Sequence, residues 1–220
     1  MPCGGHIMKN ESVIIDPESL AYWYFRLNGC LTIPNFVVHP DYGIGQRTDV
    51  DILAIRFPHR AELLENSMID DEVLSNITEK PMIIIAEVKT GKCKLNGPWV
   101  KQKDQNIHRV LRAIGAFPEV EVTDVADSIY EKGIYENNNY YITLCCVGKA
   151  INRTITRQFP DVPQLLWGDI LSFIFYRFNA YREQKRFHSQ WDEVGQNIWD
   201  CFAISKDVTE FTQTVSVKVD

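Results

Sequence analysis

Residues 81–89 read PMIIIAEVK, and no other stretch of the chain restricts its architecture more. Ile83, Ile84, Ile85 and Ala86 form an unbroken apolar run rich in β-branched side chains, the pattern of a strand covered on both faces. A strand buried on both faces needs layers above and below it, which places the chain among α/β folds. Side chains alternate across a strand, so Glu87 and Lys89 project to one side and Val88 to the other. Thr90-Gly91 then breaks the strand. Charges at the mouth of a buried strand are where open α/β sheets place their chemistry. The alternative is a strand-end ion pair that frays into a solvated basic loop, so the acid and the base need partners elsewhere in the chain.

The surrounding pattern supplies the layers. DPESLAYWYFRLNG predicts a helix with Asp16 as N-cap, Pro17 at the first position and Gly29 at the stop, Leu20, Tyr24 and Leu27 lining one face. CLTIPNFVV predicts a strand interrupted or bent at Pro34, HPDYGIGQRT a loop, and DVDILAIRF a second strand. The polar segment 58–80 reads as one or two short surface helices. NGPWVKQKDQNIHRVLRAIGAF predicts one strong helix, with an apolar stripe of Val100, Ile107, Val110, Leu111 and Ile114 and a polar face of Lys101, Gln105, His108 and Arg112. YYITLCCVG is a fourth strand. Residues 169–187 predict a long aromatic helix, 189–204 another, and the tail TQTVSVKVD an added edge strand. Segment 119–139 has no assignable pattern. Helix, three strands, helix and strand make a mixed sheet with helices on both faces.

The totals narrow the classes. A chain of 220 residues with 45% apolar and 11% aromatic content fills a sizeable core, and we expect one domain. No run is long enough to cross a bilayer, and the N-terminus lacks the apolar core of a signal peptide, so the expected location is the cytoplasm and no membrane partner is expected. The six cysteines include no C-x-x-C pair, which points to reduced, structural thiols, with one of Cys145 and Cys146 facing the core. The five histidines include no H-E-x-x-H pair, and His108 and His188 read as surface or capping residues. TGKCK is not a P-loop, because Ala86 and Cys93 stand where glycine and Ser or Thr are required. A net charge of -6 argues against a general nucleic-acid coat, which would be basic, and leaves room for a local basic cleft.

The second strand supplies the partner that Glu87 needs. Asp51 sits directly against the apolar Ile52-Leu53-Ala54-Ile55, where an ionised carboxylate requires a cation or hydrogen-bond donors. Asp49 lies two residues earlier, on the same face if the strand begins there, and is equally readable as a turn residue opening the strand. If the two strands are neighbours, Asp51, Glu87 and Lys89 converge. Paired carboxylates repel unless a cation neutralises them, and hard oxygen ligands select magnesium or manganese over zinc. An ammonium beside such an ion can orient a water for in-line attack on a phosphodiester.

DILAIRF…IIIAEVK resembles the PD-(D/E)xK nuclease superfamily, whose pattern is an aspartate before an apolar strand and a second apolar strand ending in Glu-x-Lys. Within it, the arrangement is most similar to archaeal Holliday-junction-resolvase-like nucleases, where a leading helix carries a metal-associated glutamate and closes on glycine; Glu18 and Gly29 occupy the matching places. Val50 stands where the family usually has proline, and the acidic insert between Asp51 and Glu87 is longer than in minimal members. The resemblance covers roughly residues 16–115. It implies a restriction-endonuclease-like α/β fold with an αβββαβ core over 16–150; residues 151–220 have no assignable counterpart in the family and read as an aromatic-rich helical elaboration of the same domain.

It also implies a metal-dependent endonuclease acting on DNA, or on RNA. Asp51 and Glu87 would bind Mg or Mn with the Val88 carbonyl as third ligand, and Glu18 and Asp49 as auxiliary acids. Lys89 would position the water, and Gln102 or Gln105 would meet the phosphate. Lys92, Lys94 and Lys101 are further candidate phosphate contacts, in a basic run that is partly ordinary solvated surface. Members of the fold that cut both strands commonly pair, so a homodimer or larger assembly is a further implication. Trp167, Phe173, Phe175, Phe178, Tyr181, Trp191 and Trp199 read foremost as core and secondarily as base-stacking surfaces. The competing class is a non-catalytic nucleic-acid or protein interaction subunit built on the same fold.

Overall fold

The computed structural model describes residues 12–61, 65, 67–77, 79–187 and 191–218; His188 and Cys3 lie outside them. A short strand, β1 (Val13–Ile15), leads into helix α1 (Pro17–Leu27). The Asp16 carboxylate accepts from the Ser19 amide at 2.9 Å and Pro17 fills the first turn, where no intrahelical donor is needed. Gly29 closes the helix at φ +73°, and a Cβ there would lie 1.7 Å from Arg60 Nε, so backbone and packing both require glycine.

Strands β2 (Leu31–Val38) and β3 (Thr48–Arg56) pair antiparallel. After the four-residue helix α2 (Glu72–Ser75), β4 (Met82–Val88) pairs antiparallel with β3. Pro34 does not interrupt β2: it pairs with Ile52, on an edge strand where proline is tolerated, and the irregular residue is Asn35 at φ +50°.

The single helix expected over 96–117 is broken. Helix α3 (Gly97–Val100) and a 3-10 turn (Gln102–Asp104) precede helix α4 (Asn106–Ile114), and Gln105 sits between them in the left-handed region at φ +51°. Tertiary partners override the periodicity: Asn96 and Trp99 turn toward Glu87, and Asn106 Oδ1 accepts from Arg47 at 2.7 Å. Lys101 and Gln105 therefore do not belong to a helical polar face. Val100 is exposed, and His108 is buried in α4 rather than at the surface. Burial holds its imidazole below the ordinary histidine range.

Segment 119–139, unassignable from pattern, is helix α5 (Glu119–Lys132) and strand β5 (Ile134–Glu136). Strand β6 (Tyr141–Gly148) then lies parallel to β4, with β5 antiparallel on its other flank. Helix α6 (Arg153–Gln158) leads to β7 (Gln164–Leu166), which pairs parallel with the end of β6. The result is a mixed six-stranded sheet of order β2-β3-β4-β6-β5, with β7 also on β6. Helices α7 (Trp167–Ala180), α8 (Arg182–Lys185), α9 (Glu193–Ile204) and α10 (Val208–Thr214) follow, so the expected 169–187 helix is two pieces. The tail strand β8 (Val215–Val217) pairs parallel with β1 in a separate two-stranded sheet, not on the main sheet's edge. No helix among the described residues is long and apolar enough to cross a membrane.

Alternation splits the core. Ile52, Ala54, Ile84, Ala86 and Cys145 face a layer built from α1, α7, α9 and α10, while Leu53, Ile83, Ile85, Leu144 and Cys146 face α4 and α5. Both Cys145 and Cys146 are buried because both faces are covered, where one had been expected inside. Trp167, Phe173, Phe175, Phe178, Tyr181 and Trp199 are core residues, and Trp191 stacks on Phe178 at 5.4 Å, so these rings form no base-stacking surface. Packing between α1 and α9 is tight: a Cβ on Gly195 would lie 2.0 Å from the Trp23 ring. Gly195→Ala should destabilise the protein by about 1–3 kcal/mol through overpacking, read as a lower denaturant midpoint at unchanged slope.

The polar segment after β3 is not merely surface. Asp70 is the shared anion of Arg56 at 2.7 Å, Arg60 at 2.6 Å and Arg177 at 2.5 Å, with Arg177 fully buried. The Met68 amide donates to Tyr181 Oη at 2.8 Å and the Asp71 amide to Asn28 Oδ1 at 2.8 Å. This segment therefore ties β3, α1 and α7 together.

Candidate active site

The β3–β4 register pairs Ile52 with Ala86, so the next antiparallel position sets Asp51 opposite Glu87, on the sheet face that carries α4 and α5. Asp51 Oδ2 accepts from the Val88 amide at 2.6 Å. Lys89 curls back over the strand end: its Nζ lies 2.5 Å from Glu87 Oε1, 2.9 Å from the Val88 carbonyl and 4.0 Å from Asp51 Oδ2. Side-chain exposure rises from 3% at Glu87 through 13% at Asp51 to 28% at Lys89, so the cluster grades from core to solvent. The Lys89 backbone is pinned on both sides, its amide donating to Val147 O at 2.9 Å and its carbonyl accepting from Trp167 Nε1 at 3.1 Å.

Burial, followed by repulsion from Glu87, pushes the Asp51 carboxyl up to about 7, against the opposing Val88 amide and Lys89 ammonium. Glu18, half-buried in α1, is also raised, first by burial, then by Asp16 and Asp49, with Lys89 opposing. Glu18 thus acts on Asp51 electrostatically and Asp49 acts on Glu18, neither with a hydrogen bond to Asp51 or Glu87 among the described residues. No group of three His, Cys, Asp or Glu side chains among the described residues is arranged to hold a metal ion. The oxygens that gather round a cation are two carboxylates and one backbone carbonyl.

Sequence reasoning missed two residues of the site. Asn96 Nδ2 donates to Glu87 Oε1, and Trp99 Nε1 donates to Glu87 Oε2. Asn96 occupies the N-cap position of α3 without making a side-chain cap bond, and its Nδ2 is turned to Glu87. The signal lay in NGPWV, where an asparagine before Gly-Pro reads as a helix cap and nothing local marks it as a carboxylate partner. Gln102 donates instead to Asp127 Oδ1 at 2.8 Å, and Gln105 is exposed at the left-handed break; neither hydrogen-bonds to Asp51 or Glu87. Lys92, Lys94 and Lys101 are exposed. No protein-family model, curated protein or solved structure matches the chain.

Proposed function

We propose that this chain is a metal-dependent endonuclease on a restriction-endonuclease-like fold, hydrolysing phosphodiester bonds of DNA. The observation that carries this reading is the convergence of Asp51 Oδ2, Glu87 Oε1 and the Val88 carbonyl on a single cation, the Lys89 ammonium, at the end of a doubly buried strand. Only oxygen donors are involved, and the ammonium stands in for the hard divalent ion that such a set prefers. The order α1, β2, β3, β4, α4–α5, β6 supports the αβββαβ core. Magnesium or manganese held by Asp51, Glu87 and the Val88 carbonyl would supply Lewis-acid stabilisation of the charge developing on the phosphate.

The chain's own residues do the rest. Asp51, pushed up to about 7 and so about half-protonated near pH 7, would give up its remaining proton when a cation binds. Lys89, displaced from among the oxygens, swings its flexible stem toward solvent, where Nζ orients the attacking water and donates to a phosphate oxygen. Glu18 and Asp49 enlarge the negative potential that draws a cation in. Lys92, Lys94 and Lys101, exposed after the strand end, would meet the backbone of the substrate.

A second reading, a non-catalytic interaction module, is favoured by the donors that Asn96, Trp99 and Lys89 direct at Glu87, which suit a structural buried acceptor. Plasmid nicking separates the two. We expect magnesium-dependent nicking that EDTA abolishes and that Lys89→Ala lowers by about 10²–10³-fold. Nicking indifferent to Lys89→Ala would defeat this mechanism, and absence of nicking together with absence of Asp51- and Glu87-dependent manganese binding would establish the module.

A further inference from the structure

Two basic stretches of the chain lack any acidic residue. Residues 88–103 hold five lysines, and residues 147–160 hold Lys149, Arg153 and Arg157, in a protein whose net charge is -6. The fold stitches them together through residue pairs some sixty apart in sequence. Lys92 bridges Ala150, the Cys93 amide donates to Ala150 O at 2.9 Å, the Lys149 amide to Gly91 O at 2.6 Å, and Asn152 Nδ2 to Cys93 O at 2.8 Å. Gly148 permits the approach, since a Cβ there would lie 2.7 Å from Gly91 O.

Exposed cations elsewhere, such as Lys132, Lys206 and Lys218, stand singly, some beside an acid in sequence, whereas those of this joint are gathered from two acid-free stretches. Arg109, Arg112, Lys80 and Arg186 are each paired with a carboxylate. Lys92, Lys94, Lys149, Arg153 and Arg157 are exposed, and none is ion-paired among the described residues. Arg153 and Arg157 are four apart on α6, on the side away from the buried Ile155 that anchors the helix. Asn152 Oδ1 caps α6 through the Thr154 amide at 3.0 Å, and Gln164 Nε2 donates to Thr156 Oγ1 at 3.0 Å, so the platform is held in place.

We infer that this joint, with Lys149, Arg153 and Arg157 as its far half, is a binding track for the sugar-phosphate backbone of DNA leading to Lys89. Identifying the polyanion as DNA rests on the nuclease reading, because the Lys89 amide on Val147 O places the track at the end of the same two strands as the reacting centre. Unpaired, exposed cations with no acid among them suit a repeating anion read without regard to sequence. The track works by charge and is independent of the metal.

The test is fluorescence anisotropy with a short labelled DNA duplex in EDTA. The triple variant Lys149→Glu, Arg153→Glu, Arg157→Glu is compared with a control reversal of the exposed Lys132, Lys206 and Lys218. Wild type should bind with a steep salt dependence between about 50 and 200 mM. The triple variant should bind at least about tenfold more weakly, with a salt slope shallower by about 2–3, at about 0.9 per phosphate contact. The control should stay within about threefold of wild type, and thermal melts should show all three proteins folded. A triple variant that binds like the control overturns the track, as does wild type that binds heparin or an acidic peptide but not DNA. Binding lost in the triple variant, with no nicking by wild type in magnesium, leaves the track standing and removes the nuclease.

Discussion

Asp70→Asn should lower the melting temperature by roughly 6–20 °C, corresponding to about 3–5 kcal/mol for a protein of this size. Asp70 is the anion that Arg56, Arg60 and Arg177 share at 2.5–2.7 Å, and its own side chain is only 6% exposed. Removing one member of a buried ion cluster leaves like charges facing each other out of water, which costs far more than the cluster gains over an apolar replacement. Arg56 is the most affected, since Asp70 is its one ion partner among the described residues. The cluster also joins β3 to α7 through the segment before α2, so its loss loosens the layer that carries α1. A double-mutant cycle with Arg56→Met checks the cause: the pair should lose markedly less than the sum of the single variants. Additive losses, or a melting temperature within 2–3 °C of wild type (about 1 kcal/mol), would show that Asp70 does not hold the cluster.

Asp51→Asn should stabilise the protein at pH 8 and change it little at pH 4. Burial and Glu87 push Asp51 up to about 7 in the folded chain, whereas a carboxyl in the unfolded chain titrates near about 3.9. The folded state therefore holds the extra proton between these values. The stability it confers is fully present below about pH 4 and is lost as pH rises through about 7. At pH 8 the folded wild type carries a confined charge that costs about 2–4 kcal/mol, at about 1.4 kcal/mol per pH unit with some relief from solvent at the strand end. Asparagine keeps an oxygen for the Val88 amide and carries no charge. The variant should melt roughly 4–16 °C above wild type at pH 8, and the two curves should meet near pH 4. Manganese at pH 8 should reverse the order. An ion at one thousand times its dissociation constant stabilises wild type by about 4.1 kcal/mol, more than the confined charge costs, and the variant hardly at all. A pH-independent difference between the two proteins would remove the strained carboxylate from the account.

Such an opposition of stability and site chemistry is what acids gathered to hold a cation would produce, since they repel until one arrives. It also explains which part of the site was legible. Asp51, Glu87 and Lys89 announce themselves because each interrupts an apolar strand, and strand alternation alone puts Glu87 and Lys89 on one side. Asn96 and Trp99 leave no such mark: a cap-like asparagine and an apolar-looking tryptophan become carboxylate donors only when the chain after β4 folds back. The same contacts split the helix that the apolar stripe predicted, because satisfying a buried acid outweighs continuing a helical ladder through Lys101 and Gln105. His108 and the second basic stretch follow suit, their environments set by residues distant in sequence.

Local chemistry, then, was enough for the layers and the strand-end acids: a run of β-branched residues has to be covered on both faces, and side-chain alternation is geometric. Capping residues likewise placed α1 from Asp16 to Gly29. Only the folded chain decided what those acids touch, which arginines gather on Asp70, and that Lys149 lies beside Gly91. Those outcomes depend on register and on strand crossovers, where a desolvated charge takes whichever partner the packing brings within hydrogen-bond distance.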